Sequence, residues 1–352
     1  MNFKNFVKII SVLFILALAF GLSACKSRKQ GALSLKLAFF PEQIKASLTN
    51  TAYQMGYFRE EGLDVEIEKL QSSADALVAL ELGKVDITPL GITQQLQFIS
   101  QGSDLIIFGG SAQEGGAVIT TRERAEEFAE LNQNWRNVKW ATGRSFTGDF
   151  VVRNQLRTIG IIPGKDIEII DLGDNLPIIE AVKKGIADVG YITSDGVAIA
   201  EAMDLSIGIR VGDLSPYYPC CRQTANGKSF REKHDALVAY QRALIRAYKV
   251  IQSDREKAIQ IMQESTKQNR EYVETGLYGK YASRYNPSPA TKKVEEYFGF
   301  LAQEGVVANT NFKIAGKVDS GVFKEALAQI LERFPNDKDY IALKAFSDEN
   351  DL

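Results

Sequence analysis

The stretch with the most evident chemistry is Gly143-Arg144-Ser145-Phe146-Thr147-Gly148-Asp149, which opens an apolar helical pattern. Ser145 and Thr147 offer hydroxyls, Gly148 lets the backbone approach a ligand, and Arg144 adds positive charge. A helix N-terminus carries unpaired N–H groups and a positive dipole end, so this combination suits an anion. The same residues also make an ordinary capped loop. Three further helix starts share the character: Ser72-Ser73, Gly91-Ile92-Thr93 and Ser194-Asp195-Gly196. Glu114 and Asp195 suit a ligand amine or ring N–H if they face a site, and a solvated surface if they do not. Phe39, Phe40, Tyr217 and Tyr218 could wall a pocket, since pockets are mostly apolar with few polar fixings. Core packing competes for Phe39 and Phe40.

The groups of nucleophilic or metal chemistry are few. The chain has three cysteines and one histidine, His234, without zinc-like spacing. Cys220 and Cys221 are adjacent, and neighbouring strand residues point to opposite faces, so they read as small apolar side chains in a buried strand rather than metal or redox groups. No catalytic residue, metal or cofactor is expected. Acidic and basic residues nearly balance, at a net charge of −2 over 352 residues, and no basic stripe appears. Nucleic acid is therefore not an expected partner.

These groups need elements to position them. Residues 1–24 read as a signal peptide, with Lys4 and Lys8, an apolar run from Ile9 to Leu22 and then small residues. The run is short for a spanning helix. Residues 25–33 read as a tether, 34–113 as one lobe, 114–215 as a second, and 216–352 as a return crossing with C-terminal helices packing on the first lobe. Leu33–Phe40 reads as a buried strand, and a helix beginning at Pro41 carries Ile44, Leu48, Ala52 and Met55 on one face. Beyond it strands and helices alternate, which predicts an α/β fold with a largely parallel sheet in each lobe. Glycine-rich Gly109–Thr121 and Ser215–Gly227 read as the two crossings. From Phe230 the pattern is helical, with Leu237, Leu244, Ala247 and Val250 on one face, and the polar tail Ser347–Leu352 reads as frayed.

The two lobes are written in similar words. Gly62, Asp64, Glu66, Ile67 and Leu70 recur 102 positions later as Gly164, Asp166, Glu168, Ile169 and Leu172. Ala79, Gly83 and Asp86 recur as Ala181, Gly185 and Asp188 at the same shift. Gly83 and Gly185 suit a left-handed residue after a helix, and the two aspartates read as structural groups that bond nearby amides.

Leu22-Ser23-Ala24-Cys25 resembles a bacterial lipobox, which implies lipidation at Cys25. With "AYQMGYFREEGLDVEIEKL", "ALELGKVDITPLG", "LRTIGIIPGKDIEII" and "AVKKGIADVGYI", the chain resembles ABC-transporter solute-binding lipoproteins of the nitrate, taurine, alkanesulfonate and thiamine-pyrimidine-precursor group. The resemblance implies a type II periplasmic-binding-protein fold, two similar lobes joined by a two-strand hinge. It implies a monomeric receptor on the extracytoplasmic side of a bacterial membrane, delivering a small anionic or zwitterionic solute such as a sulfonate, taurine or nitrate to a permease. Three alternatives stand beside it: a receptor for a thiamine pyrimidine precursor, a sensing lipoprotein outside transport, and a pyrimidine-synthase-like enzyme. The enzymes carry a cysteine-rich strand where "PCCRQ" stands here, and that likeness stops at two cysteines.

Overall fold

A computed structural model describes residues 33–307 and 312–352. The signal peptide, Cys25 and nearly all of the tether lie outside the described residues. Strands are β1 Leu33–Leu37, β2 Leu63–Ile67, β3 Ile87–Gly91, β4 Leu105–Gly110, β5 Ala112–Gln113, β6 Ala117–Thr121, β7 Lys139–Thr142, β8 Glu168–Asp171, β9 Val189–Ile192, β10 Leu205–Arg210, β11 Cys221–Asn226 and β12 Arg284–Tyr285. They build two five-stranded sheets, β2-β1-β3-β11-β4 and β10-β6-β9-β7-β8, and a two-stranded β12-β5 pair.

Reversing the second order gives β8-β7-β9-β6-β10, which matches the first strand for strand. Each sheet also carries one strand of opposite direction at the same place. β11 runs antiparallel to β3 and β4. β6 runs antiparallel to β9 and β10. So the outgoing crossing becomes a strand of the second sheet, and the return crossing becomes the corresponding strand of the first. Elsewhere pairing is parallel, as in β1 with β3 and β7 with β8 and β9, with helices between successive strands.

Local starts and stops follow the residue types. Ser72 caps the Ser73–Glu81 helix by accepting from Asp75 N–H at 3.1 Å. Gly83 and Gly185 follow matched helices with φ of 67° and 69°, a left-handed conformation that costs glycine nothing. The long His234–Ser253 helix buries Leu237, Leu244 and Ala247 fully and Val250 partly.

Two boundaries differ from the sequence reading. β1 ends at Leu37, and the helix expected from Pro41 starts at Ser47, after a 3-10 turn at Ile44–Ala46. Pro41 sits in the turn between them. The tail is not frayed: Lys338–Asn350 is helical, and buried Asp351 accepts from Ser288 Oγ at 2.7 Å, Ser347 Oγ at 2.8 Å and Thr291 N–H at 3.1 Å. Its polarity is spent inside the protein, which composition alone does not reveal.

Candidate functional site

A cleft of about 440 Å³ opens where the carboxyl ends of both sheets meet. Ligands of open α/β sheets sit at this place because helix N-termini follow the strand ends. From the first sheet come Gln43 and Lys45 after β1, Ser73 after β2, and Gly91 and Gln94 at the end of β3. From the second come Ser145–Thr147 after β7, Asp174–Asn175 after β8 and Thr193–Asp195 after β9. Cys220 and Cys221 complete the wall, with Tyr272 and Ser283 from the C-terminal segments. β11 is antiparallel to β3, with Cys221 opposite Gly91. Its amino end therefore stands where β3 finishes.

Helices Ile92–Ser100 and Thr147–Thr158 begin at the cleft without a side-chain cap. They come from opposite lobes. The Asn175–Lys183 helix also starts there, with its first N–H donated to Asp174 Oδ1 at 2.7 Å. Asn175 fixes its neighbour: it donates to Thr193 Oγ1 at 2.8 Å and accepts Thr193 N–H at 3.0 Å. The Thr193 hydroxyl then donates to Asp195 Oδ1 at 2.5 Å. Asp195 is thus held in place on the lobe II wall.

Lys45 is the cleft's ammonium and makes no ion pair among the described residues. Burial pulls its pKa down, but negative charge at the cysteine pair, Asp195 and Asp174 outweighs this and raises it. Glu42, Asp174 and Asp195 supply carboxylates. The walls can meet an anionic group with Lys45 and helix dipoles, and a cationic or N–H group with carboxylates.

The cleft brings together seven of the residues proposed from sequence: Ser73, Gly91, Ser145, Phe146, Thr147, Ser194 and Asp195. The others lie elsewhere, each for a visible reason. Ser72 spends its hydroxyl on the cap. Ile92 is fully buried, and Thr93 Oγ1 pairs with Tyr297 OH at 2.9 Å in the core. Arg144 points outward, its side chain 89% exposed and paired with Asp171 at 2.9 Å. A side chain at Gly148 would strike the Tyr191 ring, so this glycine serves packing rather than ligand approach. Phe39 is buried beside Tyr53, and Phe40 packs on the core.

Glu114, Tyr217 and Tyr218 belong to the hinge. The crossings run side by side: Glu114 N–H donates to Tyr218 O at 2.9 Å and Cys220 N–H to Ala112 O at 3.2 Å. Glu114, 1% exposed, accepts Tyr217 N–H at 2.9 Å and pairs with Arg210 and with Arg284, the latter at 3.3 Å. Glu114 and Tyr217 have φ of 57° and 64°, conformations that cost a non-glycine residue and need such support. Tyr218 is buried, and Tyr217 faces a separate cavity of about 480 Å³ beside Phe346.

Sequence reasoning missed Lys45, Asn175 and the cleft position of the cysteines. Cys220 is half-buried and precedes β11, so strand alternation does not turn it away from Cys221. His234 lies on the surface against Glu325 at 2.9 Å, 52% exposed. Among the described residues no group of three or more His, Cys, Asp or Glu could hold a metal ion, and no helix is long and apolar enough to cross a membrane.

Two α/β lobes, two antiparallel crossings and a cleft between strand ends define the periplasmic-binding-protein class of fold. Within that class, the chain belongs to the NMT1/THI5-like family, whose model matches residues 48–258. A Bacillus subtilis (strain 168) relative named "Putative binding protein YtlA" is 25% identical over 292 residues, 79% of this chain and 84% of the relative. Among solved structures, the nitrate-binding protein NrtA from Synechocystis PCC 6803 aligns at 17% identity and TM-score 0.66, over 91% of this chain and 99% of that one. The aliphatic sulphonate binding protein SsuA from Escherichia coli aligns at 14% identity and TM-score 0.66, over 84% and 92%.

Proposed function

We propose that this chain is the extracytoplasmic solute-binding component of an ABC-type import system, and that its solute is a small zwitterion of the amino-sulfonate kind. The observation that carries the reading is the mixed charge of the cleft. Lys45 and two uncapped helix starts favour an anionic group, while Asp174, Asp195 and Glu42 favour an ammonium. A bare anion such as nitrate would leave the carboxylates unanswered. The nitrate- and sulphonate-binding relatives support a small polar solute. The paired crossings support hinge closure around it, without covalent change to the solute. Cys25 would carry the lipid anchor, and a membrane permease would receive the solute.

Calorimetric titration with taurine, an alkanesulfonate, nitrate and an aminopyrimidine tests this. Taurine should bind most tightly. Lys45→Ala and Asp195→Asn should each weaken it about tenfold or more, the worth of a charge-assisted hydrogen bond. Nitrate binding that equals taurine and ignores Asp195→Asn would overturn the zwitterion reading. Binding of none of the four would count against the solute class as a whole. A specific observation favours the aminopyrimidine as the second reading: Phe146 and Tyr272 give the cleft aromatic walls beside the carboxylates.

A further inference from the structure

Solute capture gives no part to the two thiols in the cleft wall. Cys220 and Cys221 are free, with Sγ atoms 3.6 Å apart. Both line the cleft, as do Lys45 and Thr147. Cys220 is half-buried and shares the cleft with the Lys45 ammonium and the Thr147 hydroxyl, partners of the kind that activate a cysteine, while Glu42, Asp174 and Asp195 face the same space. We propose that Cys220 is a thiol-exchange site, which takes up a low-molecular-weight disulfide as a mixed disulfide and thereby occludes the cleft.

The asymmetry between the two thiols selects Cys220. A hydrogen bond from the Cys221 thiol, the Lys45 charge and the Thr147 hydroxyl outweigh burial and hold Cys220 down to about 6. The same hydrogen bond and burial push Cys221 well above the usual thiol range. Cys220 is also the more exposed of the two, half-buried where Cys221 is 1% exposed, so it is the sulfur that a small disulfide in the cleft reaches.

The step balances without outside electrons. The Cys220 thiolate attacks one sulfur of the small disulfide, and a Cys220 Sγ–S bond forms as the original S–S bond breaks. The other half departs as a thiolate and takes a proton from water, while the proton Cys220 has lost is already in solvent. The small disulfide is the oxidant. Cys221 is poorly placed to resolve the adduct: adjacent Cα atoms stand about 3.8 Å apart across a trans peptide, short of the ~4.4 Å lower end for disulfides. The adduct therefore persists until an external thiol attacks it.

The test treats the full chain with oxidised glutathione at pH 7, followed by intact mass and peptide mapping, with any reaction at Cys25 scored separately. One adduct is expected at Cys220, removable by dithiothreitol. It should form about two- to threefold faster than on the urea-unfolded chain, because the larger thiolate fraction is partly offset by the weaker nucleophilicity of a lower-pKa thiolate. Cys221→Ser, which keeps a donor, should still be modified at Cys220, and Cys220→Ser should lose the adduct without transferring it to Cys221. No adduct at Cys220, an adduct on Cys221 of the unsubstituted chain, or equal rates folded and unfolded would each overturn the proposal. The occlusion rests on the cleft being the solute site. The adduct is read without any solute, so its failure is separable from failure of the transport reading.

Discussion

Asp86 and Asp188 sit at the same place in the two lobes and are anchored differently. Each stands one residue before the third parallel strand of its lobe, β3 or β9, and each carboxylate bonds across to that lobe's first parallel strand, β1 or β7. Asp86 Oδ2 accepts Lys36 N–H at 2.7 Å, and Asp188 Oδ2 accepts Lys139 N–H at 2.6 Å. The backbone repeats the match, with Asp86 N–H to Lys36 O at 2.8 Å and Asp188 N–H to Lys139 O at 2.9 Å. The remaining partners diverge. Asp86, 6% exposed, takes Ser229 Oγ at 2.5 Å and Lys233 Nζ at 2.8 Å, both from the chain's return to the first lobe. Asp188 pairs with Arg124, from the segment just after β6, and both side chains are about a third exposed. The strand-to-strand bond belongs to the repeated unit. The further partner belongs to whatever packs on that lobe.

This contrast sets the largest prediction. Asp86→Ala removes three hydrogen bonds and leaves the buried Ser229 hydroxyl without its acceptor, while Lys233, about a third exposed, turns to water; it should cost about 2–3 kcal/mol of stability. Asp188→Ala removes the equivalent amide bond, but its ion pair is solvent-screened, so about 1–2 kcal/mol is expected. Urea unfolding of both variants reads the difference. Equal costs would mean that the C-terminal partners of Asp86 add nothing beyond the shared strand bond.

Acid titration sharpens the same point. Burial tends to raise the Asp86 pKa, but hydrogen bonds from Lys233, Ser229 and the Lys36 amide outweigh it and hold it below the usual carboxylate range. A group whose folded pKa is depressed stabilises the fold above its unfolded value, about 3.9 for aspartate, and loses that contribution as pH falls through the folded value. The stability gap between the unsubstituted chain and Asp86→Asn should therefore be constant near neutrality and shrink below about pH 4. A gap unchanged down to pH 2 would place the aspartate's contribution in packing rather than charge.

The repeat shows how far sequence could be read. Gly62, Gly83 and Asp86 and their counterparts lie in one strand-helix-strand stretch, so local spacing exposed them and, with them, the helix starts that face the cleft. The hinge and the rest of the cleft depend on distant pairing. Glu114 looked like a ligand group because its acid stands in a glycine-rich crossing, yet Arg210 and Arg284 reach it from far along the chain. Cys220 reaches the cleft because β11 inserts antiparallel beside β3, and nothing within a window around it states that insertion. Lys45 reaches it because β1 ends at Leu37 and a 3-10 turn at Ile44–Ala46 precedes the helix, where the residue pattern reads as a helix from Pro41. Arg144 carried the right charge in the right loop, but nearby Asp171 turned it outward.

The smallest effect tests whether the two lobes share a backbone and not only a topology. Gly83 and Gly185 hold nearly equal left-handed φ after their helices. An alanine in that conformation costs about 1 kcal/mol through crowding of its Cβ against its own backbone. Around Gly185 the space for a Cβ is open, and at Gly83 the nearest atom would be Asn226 Nδ2 at 3.7 Å, an ordinary contact. Gly83→Ala and Gly185→Ala should therefore destabilise by the same amount, to within about 0.5 kcal/mol. Asn226 is the one place this equality can fail, because it donates to Leu80 O at 2.9 Å and ties the end of β11 to the Ser73–Glu81 helix. An excess cost at Gly83 would mean that a Cβ displaces that amide. The first lobe would then depend on its return strand at the helix end as well as at Asp86.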